Sequence, residues 1–220
     1  MKYYPVNLDI QDRRCLVVGG GGVGTRKVKT LIGCGGKVTV ISPQGTKELA
    51  HLNKNGLIIW NKRKYRSSDM DGPFLVIGAT DNERLNRQIS VDADNGNVLC
   101  NIADRPELCN FILPAIVARG DLVIAVSTSG KSPALAKMIR KSMEVQFGDE
   151  YAEFLILMGR IRKKLLAQEH EPEAHKTIFE QLIQSELIEL IRHKKTPAID
   201  ARLKEILGKD FSYIALMEGR

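Results

Sequence analysis

Arg14-Cys15-Leu16-Val17-Val18-Gly19-Gly20-Gly21-Gly22-Val23-Gly24-Thr25-Arg26-Lys27 decides the fold. A short apolar run passes through a glycine-dense turn into the opening of a helix. Gly19, Gly21 and Gly24 fill the three places of G-x-G-x-x-G. There the first glycine permits the tight turn, the second lets backbone approach a pyrophosphate, and the third lets helix pack on strand. Phosphates would rest on free amides at the helix start. The context suits this reading, because Cys15–Val18 has the apolar character of a buried strand, Val23–Leu31 reads as a helix, and Lys37–Ser42 follows as a second strand. A glycine run can also be a bare flexible loop, and the flanking βαβ order argues against that. The acid that usually ends the second strand and accepts from the ribose hydroxyls is absent. Ser42, Pro43 and Gln44 stand there instead.

With 220 residues, 43% hydrophobic and 27% charged, the chain has the composition of an ordinary globular protein with ample core. No apolar run reaches the roughly 20 residues of a membrane span, and Met1-Lys2-Tyr3-Tyr4-Pro5 has no apolar signal region, so a cytoplasmic protein without membrane partners is expected. Cys15, Cys34, Cys100 and Cys109 lack C-x-x-C spacing and are expected to be buried free thiols. His170 and His175 superficially resemble a zinc motif. Their spacing of five, with Pro172 between, splays them apart, so a polar inter-helix loop is expected and no metal site. The net charge of +7 is uneven: residues 1–147 hold 21 Lys+Arg against 13 Asp+Glu, and residues 148–220 hold 12 against 13. A basic excess confined to the nucleotide-binding part suits an anionic small molecule. Nucleic acid is disfavoured, since aromatic interleaving, recognition-helix signals and zinc spacing are all lacking.

Along the chain, Tyr3–Leu8 reads as an extended lead-in that could pair at a sheet edge. Gln44–Lys54 suits a helix, Leu57–Trp60 a third strand, Asn61–Ser68 a basic loop, and Pro73–Thr80 a fourth strand. The small residues that end this strand, Thr80 included, would let a cofactor lie against the backbone. A helix begins near Asp81, Val98–Asn101 forms a fifth strand, and Asp104 falls in the turn after it, on the carboxyl edge where doubly wound sheets bind ligands. Phe111–Val117 and Leu122–Ser127 are strand-like, with Arg119-Gly120-Asp121 as the turn between them. Ser132 and Pro133 then make a helix start as N-cap and first residue, and Gly130 and Lys131 beside them suit an anionic group. After Asp149 the period is helical, with an apolar stripe of Tyr151, Phe154, Leu155, Leu157, Met158, Ile161 and Leu165. Helices follow near 172–183, 185–193 and 197–207. These segments carry neither paired carboxylates nor a nucleophile with a base. The expected architecture is α/β: a Rossmann-type parallel sheet domain over 1–113, a small dimerisation and substrate-loop segment over 114–147, and an all-helical region over 148–220.

Tyr4-Pro-Val-Asn-Leu8, the Cys15–Val28 stretch, Gly35–Pro43, Ala79-Thr-Asp-Asn82, Cys100-Asn-Ile-Ala-Asp104, Cys109–Ala115 and Ala125–Pro133 together resemble the precorrin-2 dehydrogenase/sirohydrochlorin ferrochelatase family, which includes the amino-terminal half of siroheme synthases. The stretches span residues 4 to 140 in order, and the combination is far more specific than a glycine motif. The resemblance implies NAD-dependent oxidation of precorrin-2 to sirohydrochlorin, followed in some members by insertion of ferrous ion to give siroheme. It implies a tetrapyrrole polycarboxylate as substrate, which would account for the basic half, and a homodimer. On this resemblance Gly19, Gly21, Gly22, Val23 and Gly24 match the pyrophosphate turn, and Pro43 and Gln44, with Ser42, the adenosine side. Thr80 stands beside the cofactor, and Asp104 matches the catalytic aspartate. Asn101 and the loop of Ser127, Thr128, Gly130, Lys131 and Ser132 match the substrate side. Gly24 replaces a more usual alanine. The methyltransferase half of the fused enzymes is absent, so methylation of uroporphyrinogen is not expected.

Two rivals compete. A short-chain dehydrogenase needs Tyr-x-x-x-Lys, and none of Tyr65, Tyr151 or Tyr213 has a lysine four residues on. A nucleotide-sensing regulatory module without catalysis explains the glycines equally well but predicts nothing for Asn101–Asp104 or Ser127–Pro133.

Overall fold

Strand β1 (Arg14–Val18) lies at the centre of a five-stranded parallel sheet because its side chains are buried on both faces. Cys15 and Val17 point to one side, where α1 (Gly22–Gly33), β2 (Lys37–Ile41) and α2 (Lys47–Lys54) contribute Val28, Leu31, Val38, Val40 and Leu49. Leu16 and Val18 point to the other. There they meet Val76 of β4 (Leu75–Gly78), Ile89 and Ala93 of α3 (Glu83–Asn95), and Cys100 and Ile102 of β5 (Leu99–Ile102). With β3 (Ile59–Asn61) at one edge, the strand order is β3-β2-β1-β4-β5. The topology reverses between β1 and β4, which is where such sheets bind ligands.

The computed structural model describes residues 2–167 and 172–218. They divide into one unit of Met1–Leu113 with Ser129–Lys131 and a second of Pro114–Thr128 with Ser132–Arg220. The second unit opens with a hairpin of β6 (Ala115–Arg119) and β7 (Leu122–Val126), turned at Gly120 with φ +57°. Among the described residues six helices follow: α4 (Pro133–Gln146), α5 (Glu150–Leu166), α6 (Pro172–Gln184), α7 (Leu187–Arg192), α8 (Thr196–Leu207) and α9 (Tyr213–Glu218). Phe154, Leu157, Met158, Ile161 and Leu165, the inner part of the stripe read on α5, pack with Leu182, Leu187, Ile191, Leu203 and Phe211.

Several expectations need correcting. The Tyr3–Leu8 lead-in joins no strand and leaves Tyr4 85% exposed. Its apolar residues alternate, but Pro5 lacks the N–H that a ladder needs. Residues Gln44–Thr46 are not helical: Thr46 is the N-cap of α2, accepting from the Leu49 amide, because a hydroxyl competes for the first amides better than it extends a helix. The strand expected over 111–117 starts only at Ala115, since Pro114 cannot donate to a ladder. Helix α9 was not anticipated. Of the four thiols, Cys34 is exposed beyond α1 and Cys109 only partly buried, while Cys15 and Cys100 are buried as expected. His170 lies outside the described residues, and His175 is buried on α6. Among the described residues no group of side chains could hold a metal, and no helix is long and apolar enough to cross a membrane.

Candidate functional site

The glycines shape the switch point by what they exclude. Gly19 turns at φ +114°, and a Cβ there would come within 2.1 Å of the Ala79 carbonyl oxygen at the end of β4. A Cβ on Gly24 would come within 2.2 Å of the Gly19 carbonyl oxygen, so α1 packs directly on the turn. Gly21 and Gly22 have open space where a side chain would stand. Gly21 caps α1 without a side-chain hydrogen bond, so the helix start keeps the positive end of its dipole for an anion.

Gly19, Gly21 and Gly22 line a cleft of about 890 Å³. Gly19, Gly21, Gly22, Val23, Ser42, Pro43, Gln44 and Thr80 all face it, and Gly24 supports it from behind. Cleft size, bare backbone and open glycines fit a dinucleotide whose pyrophosphate would sit at Gly20–Val23. Ser42 is engaged elsewhere. It is buried, and its hydroxyl donates to the Gln44 carbonyl at 2.6 Å while its own carbonyl accepts from the Trp60 indole at 3.0 Å. Thr80 donates to Asn86 Oδ1 at 2.7 Å, and Asn86 returns a bond to the Thr80 carbonyl at 2.9 Å. That pair fixes the loop between β4 and α3.

Lys64, Tyr65, Arg84, Leu85 and Gln88 also line the cleft and were missed. Arg84, Leu85 and Gln88 share one face at the start of α3. Their helical spacing just after the Asn82 cap was the available signal. Tyr65 and Lys64 come from the basic loop, whose path no local pattern shows. Burial, reinforced by the bond it donates to Asp92 Oδ2 at 2.8 Å, holds the Tyr65 hydroxyl protonated well above the usual phenol range.

Asp104 sits one strand further on, at the carboxyl end of β5, where the Ala103 amide donates to the Gly78 carbonyl at 2.8 Å. It is exposed and holds φ +59°, a left-handed conformation that costs a side-chain-bearing residue free energy. Lys27, half-buried on α1, has its ammonium pulled below the usual lysine range, first by burial and then by Arg26, while the Asp104 carboxylate pulls the other way. This interaction brings the helix behind the glycine turn and the aspartate into one electrostatic neighbourhood. Asn101 is buried, its amide donating to the Phe111 carbonyl at 3.1 Å and towards Cys109 Sγ at 3.7 Å. It thus belongs to the support of the turn.

In the later loop, Ser129 and Gly130 take left-handed φ values of +53° and +80°. The Thr128 hydroxyl donates to the Ser132 carbonyl and accepts from its amide, and Ser132 Oγ accepts from Leu135 as the expected N-cap. Ser127 and Lys131 are exposed. Ser127, Thr128 and Ser132 fall in the second unit, Gly130 and Lys131 in the first.

A parallel sheet of this order, with a side-chain-free cradle at its reversal and a carboxylate one strand away, defines a dinucleotide-binding protein of the doubly wound class. Comparison narrows the class. The chain belongs to the putative NAD(P)-binding family, which it matches over residues 6–115, and residues 119–146 match the family described as sirohaem biosynthesis protein central. It is 36% identical over 208 residues to the siroheme synthase of Vesicomyosocius okutanii subsp. Calyptogena okutanii (strain HA), covering 94% of this chain and 45% of that protein. It is 34% identical over 218 residues to the siroheme synthase of Pseudomonas aeruginosa (strain LESB58), covering 99% and 47%. The chain thus spans less than half the length of these relatives. Among solved structures it shares its fold with SirC, precorrin-2 dehydrogenase, at a TM-score of 0.74 and 23% identity, over 93% of this chain and 98% of that one.

Proposed function

We propose that the chain oxidises precorrin-2 to sirohydrochlorin with NAD, in the biosynthesis of siroheme. The observation that carries this reading beyond nucleotide binding is the Asp104 turn. A sensing module has no use for an exposed carboxylate held in a left-handed conformation at the carboxyl edge, beside the helix that forms the cradle. The likeness to siroheme synthases and to SirC supports the same substrate class.

A bound nicotinamide supplies the hydride acceptor. The chain itself orients that ring by fixing the pyrophosphate over Gly20–Val23 and the adenosine beside Ser42–Gln44. Oxidation at a carbon flanked by pyrroles removes a hydride and a proton, and the Asp104 carboxylate takes the proton. The Ser127–Ser132 loop is assigned to the substrate side, Asn101 to the support of the turn that carries Asp104, and the basic excess of residues 1–147 complements a polycarboxylate. If ferrous ion serves as a second substrate, the same carboxylate is the group placed to take the pyrrole protons as the metal enters.

The test is anaerobic incubation of the purified chain with precorrin-2 and NAD, followed by ferrous or cobaltous ion, read by absorbance. Formation of sirohydrochlorin with stoichiometric NADH is the expected result. Binding of NAD without turnover would leave the sensing module standing. The change on adding metal reads separately whether the chain also inserts it.

A further inference from the structure

Strand β5 is an edge of the sheet, so half of its backbone groups face away from β4 and need partners. Consecutive side chains supply them. The Cys100 amide donates to Asn110 Oδ1 at 2.7 Å, and Asn110 Nδ2 donates to the Val98 carbonyl at 3.0 Å. The Asn110 amide donates to the Cys100 carbonyl at 3.1 Å. The next outward amide, that of Ile102, donates to Cys109 Sγ at 3.1 Å. The Cys109 thiol lies 3.2 Å from the Arg105 carbonyl and 3.4 Å from that of Ile102, both of which can accept its proton. Burial pushes this thiol up, so the proton is retained. Two adjacent side chains therefore do the work of a sixth strand, and the sulfur bridges the residues on either side of Ala103-Asp104.

A left-handed aspartate persists only where its surroundings over-determine it, and the sulfur grips the chain within two residues of Asp104 on one side and one on the other. We propose that Cys109 and Asn110 are positioning residues that clasp the turn after β5 and thereby set the Asp104 carboxylate for proton transfer. The proposal rests on the reading of Asp104 as proton acceptor. It requires no redox or metal chemistry of the sulfur, only a donor and acceptor of the right reach. A serine hydroxyl keeps both roles but bonds at shorter distances than sulfur does.

The test is a double-mutant cycle on dehydrogenase turnover with Cys109→Ala, Cys109→Ser and Asp104→Asn, with NAD affinity by titration and folding by thermal melts alongside. Displacement of a reacting group by about an ångström costs on the order of 100-fold. Cys109→Ala should thus lower kcat by about 10- to 100-fold with NAD affinity unchanged, and Cys109→Ser should recover part of the loss. In the Asp104→Asn background Cys109→Ala should cost little more, because residues acting through one group are not additive. Full additivity, or normal turnover of folded Cys109→Ala, overturns the clasp while leaving Asp104 in place. Near-normal turnover of Asp104→Asn overturns the proton-acceptor reading, and the clasp with it. If Cys109→Ala does not fold, Cys109→Val, of similar volume but with neither donor nor acceptor and suited to the extended backbone at this position, carries the cycle on the same criteria.

Discussion

At the scale of single residues, backbone conformation decides which substitutions are informative. Asp104 lies at φ +59°, a region asparagine tolerates and alanine resists. Asp104→Asn should therefore keep its fold and NAD affinity while losing turnover by about 10² to 10⁴-fold, the range for a general base. Asp104→Ala should add a small loss of thermal stability, and equal melting temperatures for the two would contradict the strain. Gly24 makes the converse point. The alanine more usual there reads as harmless in the sequence, since both residues permit close packing, but its Cβ would meet the Gly19 carbonyl at 2.2 Å. Backbone must move to admit it. Gly24→Ala should lower stability by about 1–3 kcal/mol, as overpacking does, and should weaken NAD binding through the displaced turn. An unchanged melt and titration would show that the turn yields freely. The glycine identities were legible because their spacing is local. The contact that separates glycine from alanine was not, because it depends on how far α1 has closed on β1.

Elements assemble the cleft from parts with unequal signals in the sequence. Strands β1, β2, β4 and β5 were readable because burial on both faces demands apolar runs, and α1 and α3 because caps and glycines bracket them. The wall made by Lys64 and Tyr65 was not, since the basic loop is held by pairings that no periodicity reports. Arg63 grips Asp69 through two bonds, of 2.8 and 2.5 Å, and the Arg66 amide adds a third at 2.9 Å. The Arg63 hydrogen bonds hold the Asp69 carboxyl below its ordinary value of 3.8. A depressed folded-state pKa stabilises fully above the unfolded value and is lost as pH falls through the folded one. Asp69→Asn should accordingly cost about 1–3 kcal/mol at neutral pH, and its gap from wild type should close as pH drops below 4 in denaturant melts. A gap of the same size at pH 3 would show that shape and not charge holds the loop. The same wall bears on the cofactor. The end of β2 offers Ser42, Pro43 and Gln44, none of them cationic, so NAD should be preferred to NADP. Lys64 and Arg84 line the cleft, which makes Lys64→Ala the informative comparison. Equal or better kcat/KM with NADP in the wild type would refute the preference. A selective loss of residual NADP activity in the variant would identify Lys64 as its source.

For the whole molecule, the question is what the second unit does with a surface that its own core leaves uncovered. Register pairs Ile116 with Ala125 and Ala118 with Val123 across the β6–β7 hairpin. Paired positions share a face, and all four of these residues are exposed. One side of a two-stranded ribbon is thus wholly apolar and open, and such ribbons are marginal alone in water. Helix α4 adds Met138 at 61% and Val145 at 88% exposure. The sequence made this imbalance visible as strand-like and apolar helical segments beyond what one doubly wound sheet needs, although it could not assign faces, which depend on register. We expect a homodimer built largely from residues after Pro114, since a self-complementary patch of this kind is buried by a two-fold contact. Light scattering at micromolar concentration should return twice the chain mass of 24.5 kDa. Val123→Glu places a charge at the centre of the ribbon face without touching the helical core. It should shift the mass towards the monomer while leaving NAD affinity unchanged. A monomeric wild type would count decisively against the dimer. A Val123→Glu variant that remains dimeric would move the interface off the hairpin.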